Sequence, residues 1–233
     1  MPGKPIPKSA IFVAVAAYNE GRVIRSALSP LVKLGYSVVV VDDGSTDSTW
    51  RQLKALGVHR LRHPFNLGQG AALQTAVSYA LQAGAQFIIH FDADGQHSVE
   101  DLTGLLAPLL TGRADVVLGS RFLRKEDWQA VPLSRRMLLK GAVMVNWLLT
   151  GLWLSDAHNG ARALTRRAAQ LIVLHENGFA HASEILQQVR IHKLRFVERP
   201  TRIRYTEYSR MKGQRVWHAF DVFVDLLIRR VLR

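Results

Sequence analysis

Two apolar runs in this chain each end in a cluster of carboxylates, and that arrangement restricts the fold more than any other feature. Val38-Val39-Val40-Val41 leads into Asp42-Asp43-Gly44-Ser45-Thr46-Asp47, and Phe87-Ile88-Ile89-His90-Phe91 leads into Asp92-Ala93-Asp94-Gly95-Gln96-His97. Short apolar runs bounded by turn residues read as strands buried on both faces, as in a parallel sheet. Ligands of open α/β sheets bind beyond the carboxyl ends of the strands. Two carboxylate pairs at one such edge make a strongly negative pocket, costly unless a cation or a donor-rich ligand occupies it. Residues i and i+2 of an extended chain lie on one side, so Asp92 and Asp94 can face one ion. An Asp-x-Asp there suits a divalent metal bound together with a diphosphate.

The first 120 residues alternate strand and helix signals. Strands are predicted at 11–17, 36–41, 58–62, 86–92 and 115–119. Between them fall helices at 20–34, from Ser45 or Thr46 to about Leu56, at 69–83 and at 98–110. Val23, Ile24, Ala27, Leu28 and Leu31 give the first helix its apolar stripe. Gly57 and Gly84 supply stops, and Ser98 a cap. The expectation is an α/β fold with a mostly parallel central sheet flanked by helices. After residue 120 the rhythm breaks. A long, mostly apolar helix is predicted over 132–154, a short strand over 162–165, helices over 166–174 and 182–194, an extended stretch over 196–205 and a final helix over 216–232.

The 233 residues permit one such domain with an appended segment. We expect a catalytic domain over 1–212 and a C-terminal amphipathic helix over 213–233. With no cysteine, disulfides and thiolate metal sites are excluded. Residues 1–8 lack the apolar stretch of a secretory signal, so the expected location is cytoplasmic. Charge is unevenly divided. Residues 1–120 carry 10 Lys and Arg against 9 Asp and Glu, a net of +1; residues 121–233 carry 21 against 9, a net of +12. A basic half points to a polyanionic partner: anionic lipid, a phosphorylated substrate or nucleic acid. The final helix sets Val216, Phe220, Phe223, Val224, Leu227 and Val231 at helical spacing and ends in Arg229, Arg230 and Arg233. That suits a helix lying in a membrane interface, or one packed between subunits of a homo-oligomer. The stretch 138–154 is 17 residues long and contains Lys140 and Asn146. A membrane span needs about 20 apolar residues, so it reads as buried or interfacial.

Six motifs follow in order: Ala17-Tyr18-Asn19-Glu20; Val41-Asp42-Asp43-Gly44-Ser45-Thr46-Asp47; Asn66-Leu67-Gly68-Gln69-Gly70; Asp92-Ala93-Asp94-Gly95-Gln96-His97; Gly119-Ser120-Arg121-Phe122; and Asp156-Ala157-His158-Asn159-Gly160-Ala161-Arg162. Together they resemble the family-2 glycosyltransferases of GT-A fold, nearest the subgroup of dolichyl- and polyprenyl-phosphate hexose synthases. The resemblance covers about residues 10–212. It implies a metal-dependent, inverting transfer of a hexose from a UDP- or GDP-linked donor to a polyprenyl phosphate at the cytoplasmic face of the membrane, with peripheral membrane contact.

The same resemblance implies site residues. The donor is expected against Ala17, Tyr18, Glu20, Asp42, Asp43, Gly68, Gly70, Asp92, Ala93, Asp94 and Arg210. Mg²⁺ or Mn²⁺ is expected on Asp92, Asp94 and Gln96. The acceptor phosphate is expected at Arg121, Ser134 and Arg135; the forked guanidinium groups of the two arginines match phosphate oxygens. The family usually has Lys at the position of Gln69. For catalysis we expect Asp94, with Asp156 or Glu184 as general base if the acceptor is a hydroxyl, since a hydroxyl must lose its proton and an ionised lipid phosphate need not. Residue chemistry alone gives plainer readings: Glu184 complements a helix dipole, Asp156 pairs with Arg162, Gly68 and Gly70 form a structural turn, and His97 fills a loop or capping role. Rival functions are a hydroxyl-directed transferase of surface glycans, a non-catalytic nucleotide-sugar binder and a basic nucleic-acid-binding module. The last lacks a reading helix or RNA-stacking motif, so no nucleic-acid partner is expected.

Overall fold

The computed structural model describes residues 6–123, 141, 143–144, 147–148, 150–156, 160–178 and 180–202. The expected final helix, Arg210, Ser134 and Arg135 lie outside them. The described strands are β1 (Ile11–Ala17), β2 (Ser37–Asp42), β3 (His59–Arg62), β4 (Phe87–His90), β5 (Val116–Ser120), β6 (Arg162–Thr165) and β7 (Phe196–Pro200). The helices are α1 (Ile24–Lys33), α2 (Thr49–Leu53), α3 (Gln69–Gln82), α4 (Asp101–Leu110), α5 (Arg166–Leu171) and α6 (His181–Ile191). Further helical residues lie between 141 and 150.

The sheet order is β3-β2-β1-β4-β6-β5-β7. β3, β2, β1 and β4 run parallel, whereas β6 is antiparallel to both β4 and β5. β7 then pairs parallel with β5. The expected mostly parallel α/β sheet is present, with one reversed strand inserted beside its centre. That insertion sets Arg162 directly opposite His90. Strand alternation sends side chains to two cores. Val13, Val15, Val38, Val40 and Ile89 meet α1 and α4 on one face; Phe12, Ala14, Val39, Val41 and Ile88 meet α3, α5 and α6 on the other. Truncating a side chain such as Ile89, fully buried between sheet and helices, would cost about 2–5 kcal/mol.

The first helix begins four residues later than its apolar pattern predicts. The backbone N–H groups that would start it are taken by the β2–α2 loop: Asn19 N donates to Ser45 Oγ (2.9 Å), Glu20 N to Thr49 Oγ1 (2.8 Å) and Gly21 N to Asp47 Oδ2 (2.9 Å). Asn19, at a φ of 55°, returns the contact by accepting from Thr46 N (3.0 Å). The Ser/Thr/Asp-rich loop thus serves two helices, since Asp47 also accepts from Thr49 N (2.8 Å), and α2 starts only at Thr49. Likewise α4 starts at Asp101, because the Ser98 hydroxyl donates to Glu100 instead of capping.

The connection between α5 and α6 crosses the amino end of α3. Asn177 O accepts from Gly70 N at 2.7 Å. A Cβ on Gly70 would lie 2.0 Å from Glu176 O, and one on Gly68, at a φ of 106°, 2.3 Å from Asn177 O. Backbone cannot yield as a flexible side chain can, so Gly70→Ala is expected to lower unfolding free energy by about 1–3 kcal/mol. Gly104, in the exposed first turns of α4, meets nothing within 4 Å. Gly104→Ala is expected to raise it by about 0.5–1 kcal/mol. Urea unfolding of both variants checks the opposite signs.

Candidate active site

The carboxyl ends of β1, β2 and β4 lie side by side, with Ala17 paired to Asp42 and Ala14 to His90. Asp92 follows β4 and is gripped from several elements. Its Oδ2 accepts from His97 Nε2 at 2.8 Å and its Oδ1 from Gln69 Nε2, at the start of α3, at 3.3 Å. Gly160 lies against it so closely that a Cβ there would sit 2.3 Å from Oδ2. Close approach therefore requires glycine at 160. The Asp92 side chain keeps 31 % of its surface exposed.

Asp94 accepts from Gln96 N at 2.9 Å and Gln96 Nε2 at 2.8 Å. Its carboxyl is pushed above the usual range by desolvation, then by the negative charge of Asp92, with a smaller contribution from Glu20. Asp92 goes the other way. Desolvation opposes its charge, but the His97 bond and the fields of His97, Arg162 and His181 together hold it below the usual range. The pair is thus split by environment: one oxygen cluster firmly anionic, its neighbour short of cationic company.

Beneath Asp92 lies a buried polar layer that sequence reading missed. His90 has both ring nitrogens buried without hydrogen-bond partners among the described residues. Burial, then the nearby charges of Arg162 and His181, lower its pKa to about 3. Arg162 is 5 % exposed, with its pKa lowered to about 10 by burial against the raising fields of Asp92 and Asp156. His181 is lowered by burial and by Arg162. A polar residue ending an apolar run, as His90 does, was the available signal; its neighbours come from β6 and α6, more than 70 residues on.

The other expected residues separate into groups. Tyr18 is 42 % exposed beside Glu20, which is buried, and Ala17 and Ala93 are buried. Asp42 and Asp43 face inward. Asp42 accepts from Ser45 N (3.1 Å), and its Oδ2 lies 3.1 Å from Arg62 Nε in an ion pair without hydrogen-bond alignment. Asp43 accepts from His63 Nδ1 (2.7 Å), Leu67 N (3.0 Å) and Gly68 N (2.8 Å). Through these bonds the two carboxylates tie the β2–α2 loop and the loop before α3 to the end of β2. Gly68 and Gly70 lie against chain 176–177, where the Gly70 N–H is taken by Asn177 O.

Asp156 does not take Arg162 as its ion-pair partner; it accepts from Arg121 Nε (2.7 Å), Nη2 (2.8 Å) and N (3.0 Å). That fork lies close enough to the Asp-x-Asp loop for Arg121 to lower the proton affinity of His97. Glu184 accepts from His175 N (3.0 Å) and Glu176 N (3.0 Å), closing the turn before α6. Both oxygens of each carboxylate are engaged, a poor arrangement for a general base. The described helical residues of the expected 132–154 helix expose Met144, Trp147 and Leu148; residues 151–154 are not helical, and Trp153 among them is 68 % exposed. The two indoles meet edge-on at 6.0 Å. No helix among the described residues is long and apolar enough to cross a membrane.

A mostly parallel sheet of this order, with an Asp-x-Asp loop beyond β4 and a reversed strand at β6, is the GT-A fold of nucleotide-sugar glycosyltransferases. The chain belongs to glycosyl transferase family 2, whose sequence profile matches residues 12–172. It is 36 % identical over 229 residues to an uncharacterised protein of Methanocaldococcus jannaschii, covering 97 % of this chain and 94 % of that one. It is 29 % identical over 241 residues to the UDP-N-acetylglucosamine–dolichyl-phosphate N-acetylglucosaminyltransferase of Methanococcus voltae, covering 95 % and 96 %. Among solved structures it resembles glucosyl-3-phosphoglycerate synthase of Mycobacterium tuberculosis in complex with Mn²⁺ and UDP-glucose. The TM-score is 0.59 at 22 % identity, over 87 % of this chain and 73 % of that one.

His97 is raised above its ordinary value: burial opposes its charge, but the bond to Asp92 and the charges of Asp92 and Asp94 outweigh it. A raised histidine stabilises the fold fully below its unfolded pKa of about 6.5 and loses that contribution as pH rises through its folded pKa. The depressed Asp92 contributes above about 3.9 and loses its share as pH falls through its folded pKa. The pair is therefore most stabilising between about pH 4 and 6.5. NMR titration of the metal-free protein should place His97 above about 6.5, and Asp92→Asn should bring it down. A His97 titrating below 6 in the parent would contradict the ion pair.

Proposed function

We propose that this glycosyltransferase moves a hexose or N-acetylhexosamine from a uridine diphosphate sugar to a polyprenyl phosphate at a membrane surface, using a divalent cation. The observation that carries the reading is the split pair at the end of β4. Asp94 is raised by desolvation and by Asp92 beside it, a local excess of negative charge that a hard cation relieves. The ligands on offer are the carboxylate oxygens of Asp92 and Asp94, while the Gln96 amide meets Asp94 through its nitrogen, which donates to Oδ2. Among the described residues no group of three or more His, Cys, Asp or Glu could hold a metal by itself. A pair of carboxylates suits an ion of the Mg²⁺ type, bound by one or two carboxylates and completed by substrate phosphates. When bound, it supplies charge neutralisation for the departing diphosphate.

The chain's own residues do the remaining work. Gln69, His97 and Gly160 fix the Asp92 carboxylate, while Gln96 orients that of Asp94. Exposed Tyr18 offers a ring for base stacking, with Glu20 and Ala17 along the same edge. Arg121, pre-oriented by Asp156, presents a guanidinium beside the loop for the acceptor phosphate. A lipid phosphate is ionised at neutral pH and attacks without a base, consistent with the engaged oxygens of Asp156 and Glu184. One in-line displacement inverts the anomeric carbon. Uridine as the base, and a lipid-linked acceptor, are supported by the named relative of Methanococcus voltae. The exposed Trp147, Trp153, Met144 and Leu148 suit an interfacial contact, where indoles sit at headgroup level. Leu154, buried in the core beside them, ties that patch to the domain.

Thermal shift with Mn²⁺ and UDP together should stabilise the parent by several degrees, with GDP doing less and EDTA abolishing the effect. Asp94→Ala should lose the Mn²⁺-dependent part and lower sugar transfer at least ~100-fold. Undiminished transfer in EDTA would refute the metal role, and transfer only to soluble glycans would refute the lipid acceptor. Replacing Trp147 and Trp153 by serine should weaken co-sedimentation with anionic vesicles while leaving UDP binding intact; equal sedimentation of both proteins would remove the membrane contact.

A further inference from the structure

We propose that Glu198, on the far edge strand β7, is a positioning residue that holds the Arg121–Asp156 fork in place for the acceptor. The proposal rests on the reading of Arg121 as the acceptor-phosphate ligand. Glu198 Oε1 accepts from Ser155 N at 2.9 Å and from Ser155 Oγ at 2.8 Å, and Oε2 lies 3.0 Å from the same N–H. Ser155 Oγ is also 2.6 Å from Ser120 Oγ. An ionised carboxylate only accepts, so the single Ser155 hydroxyl proton points to Glu198. Ser120 must then donate to Ser155, and its own oxygen accepts from Phe122 N at 3.2 Å. The direction of the whole chain is thereby fixed from the Glu198 end.

The two serines immediately precede the two members of the fork, Ser120 before Arg121 and Ser155 before Asp156. Ser120 is fully buried, and its carbonyl accepts from Thr201 N at 2.9 Å, just past the end of β7. β7 thus pins one segment by its backbone and the other by the Glu198 carboxylate. Asp156 carries three bonds from Arg121, so a shift at Ser155 passes directly into the guanidinium. Without the carboxylate, the half-buried Ser155 N–H loses its acceptor and the serine pair loses its defined direction. Misplacement of a binding group by about 1 Å can cost as much as 100-fold in rate.

Two measurements on the full-length protein test this. In steady-state transfer from a UDP-sugar to a detergent-solubilised polyprenyl phosphate, Glu198→Ala should raise the acceptor KM about tenfold and leave the donor KM within about twofold. Glu198→Gln should lie nearer the parent, because its carbonyl still accepts the Ser155 hydroxyl. In an Arg121→Ala background, Glu198→Ala should add less than about twofold. Equal effects on both substrates, or full additivity, would overturn the proposal. The second measurement does not depend on the acceptor reading. The Arg121 Nε–H resonance, assigned by its absence in Arg121→Ala, should exchange with solvent about tenfold faster in Glu198→Ala. Unchanged exchange overturns the positioning role whatever the kinetics show. Faster exchange with unaltered acceptor KM in both Arg121→Ala and Glu198→Ala sustains the strut and removes the acceptor assignment instead.

Discussion

A carboxylate standing at the end of a central strand must be kept both charged and still, and much of this molecule is arranged around that requirement at Asp92. Desolvation alone would raise its proton affinity; neighbouring positive charge and hydrogen bonds reverse the sign. His97 in the same loop, Arg162 and His181 of α6 supply the charge, and Gln69 opening α3 adds a hydrogen bond; packed around the carboxylate from one stretch of chain are Gly160, before β6, and Arg162, within it. The reversed strand β6 is what brings the last two there. Inserted next to β4, it turns the chain's second half back across the carboxyl edge of the first.

The consequence is a division between the two acidic clusters that look alike in sequence. The Asp42–Asp43 cluster sits where β2 meets β3 and the loop before α3, and its oxygens are used by Ser45, Arg62, His63, Leu67 and Gly68. It stiffens the floor of the site. The Asp92–Asp94 cluster lies closer to the middle of the sheet, where β1 has neighbours on both sides. This is the switch region at which open α/β sheets leave a crevice for ligands. Similar local chemistry meets different neighbours in the two cases, because position in the strand order decides what each can reach.

Arginines of the second half show the same logic. Among the described residues, Arg162 is a buried counter-charge to Asp92 and Asp156, Arg195 clamps Asp115 at the start of β5, and Arg121 is held forward by Asp156. Residues of one type that look alike in the sequence thus do three different jobs.

Local pattern was enough for much of the architecture. The strand 11–17 matches β1 residue for residue, β2 is displaced by one residue, and the α3 pattern over 69–83 runs one residue past its end, because continuous apolar runs and glycine stops act through neighbouring residues. The carboxylate pair at 92 and 94 was equally legible, since an i, i+2 spacing at a strand end needs no partner to be recognised. Helix starts were not: α1 begins late because its first N–H groups are claimed by residues 26 to 29 positions away. Nor was the pairing of Asp156, which passes over nearby Arg162 for Arg121, 35 residues distant. The sequence by itself thus determined the strands, the apolar faces and which residues carry charge. Only the tertiary structure decided which charges meet, because hydrogen bonds and ion pairs act over a few ångströms and the reversal of β6 sets those distances.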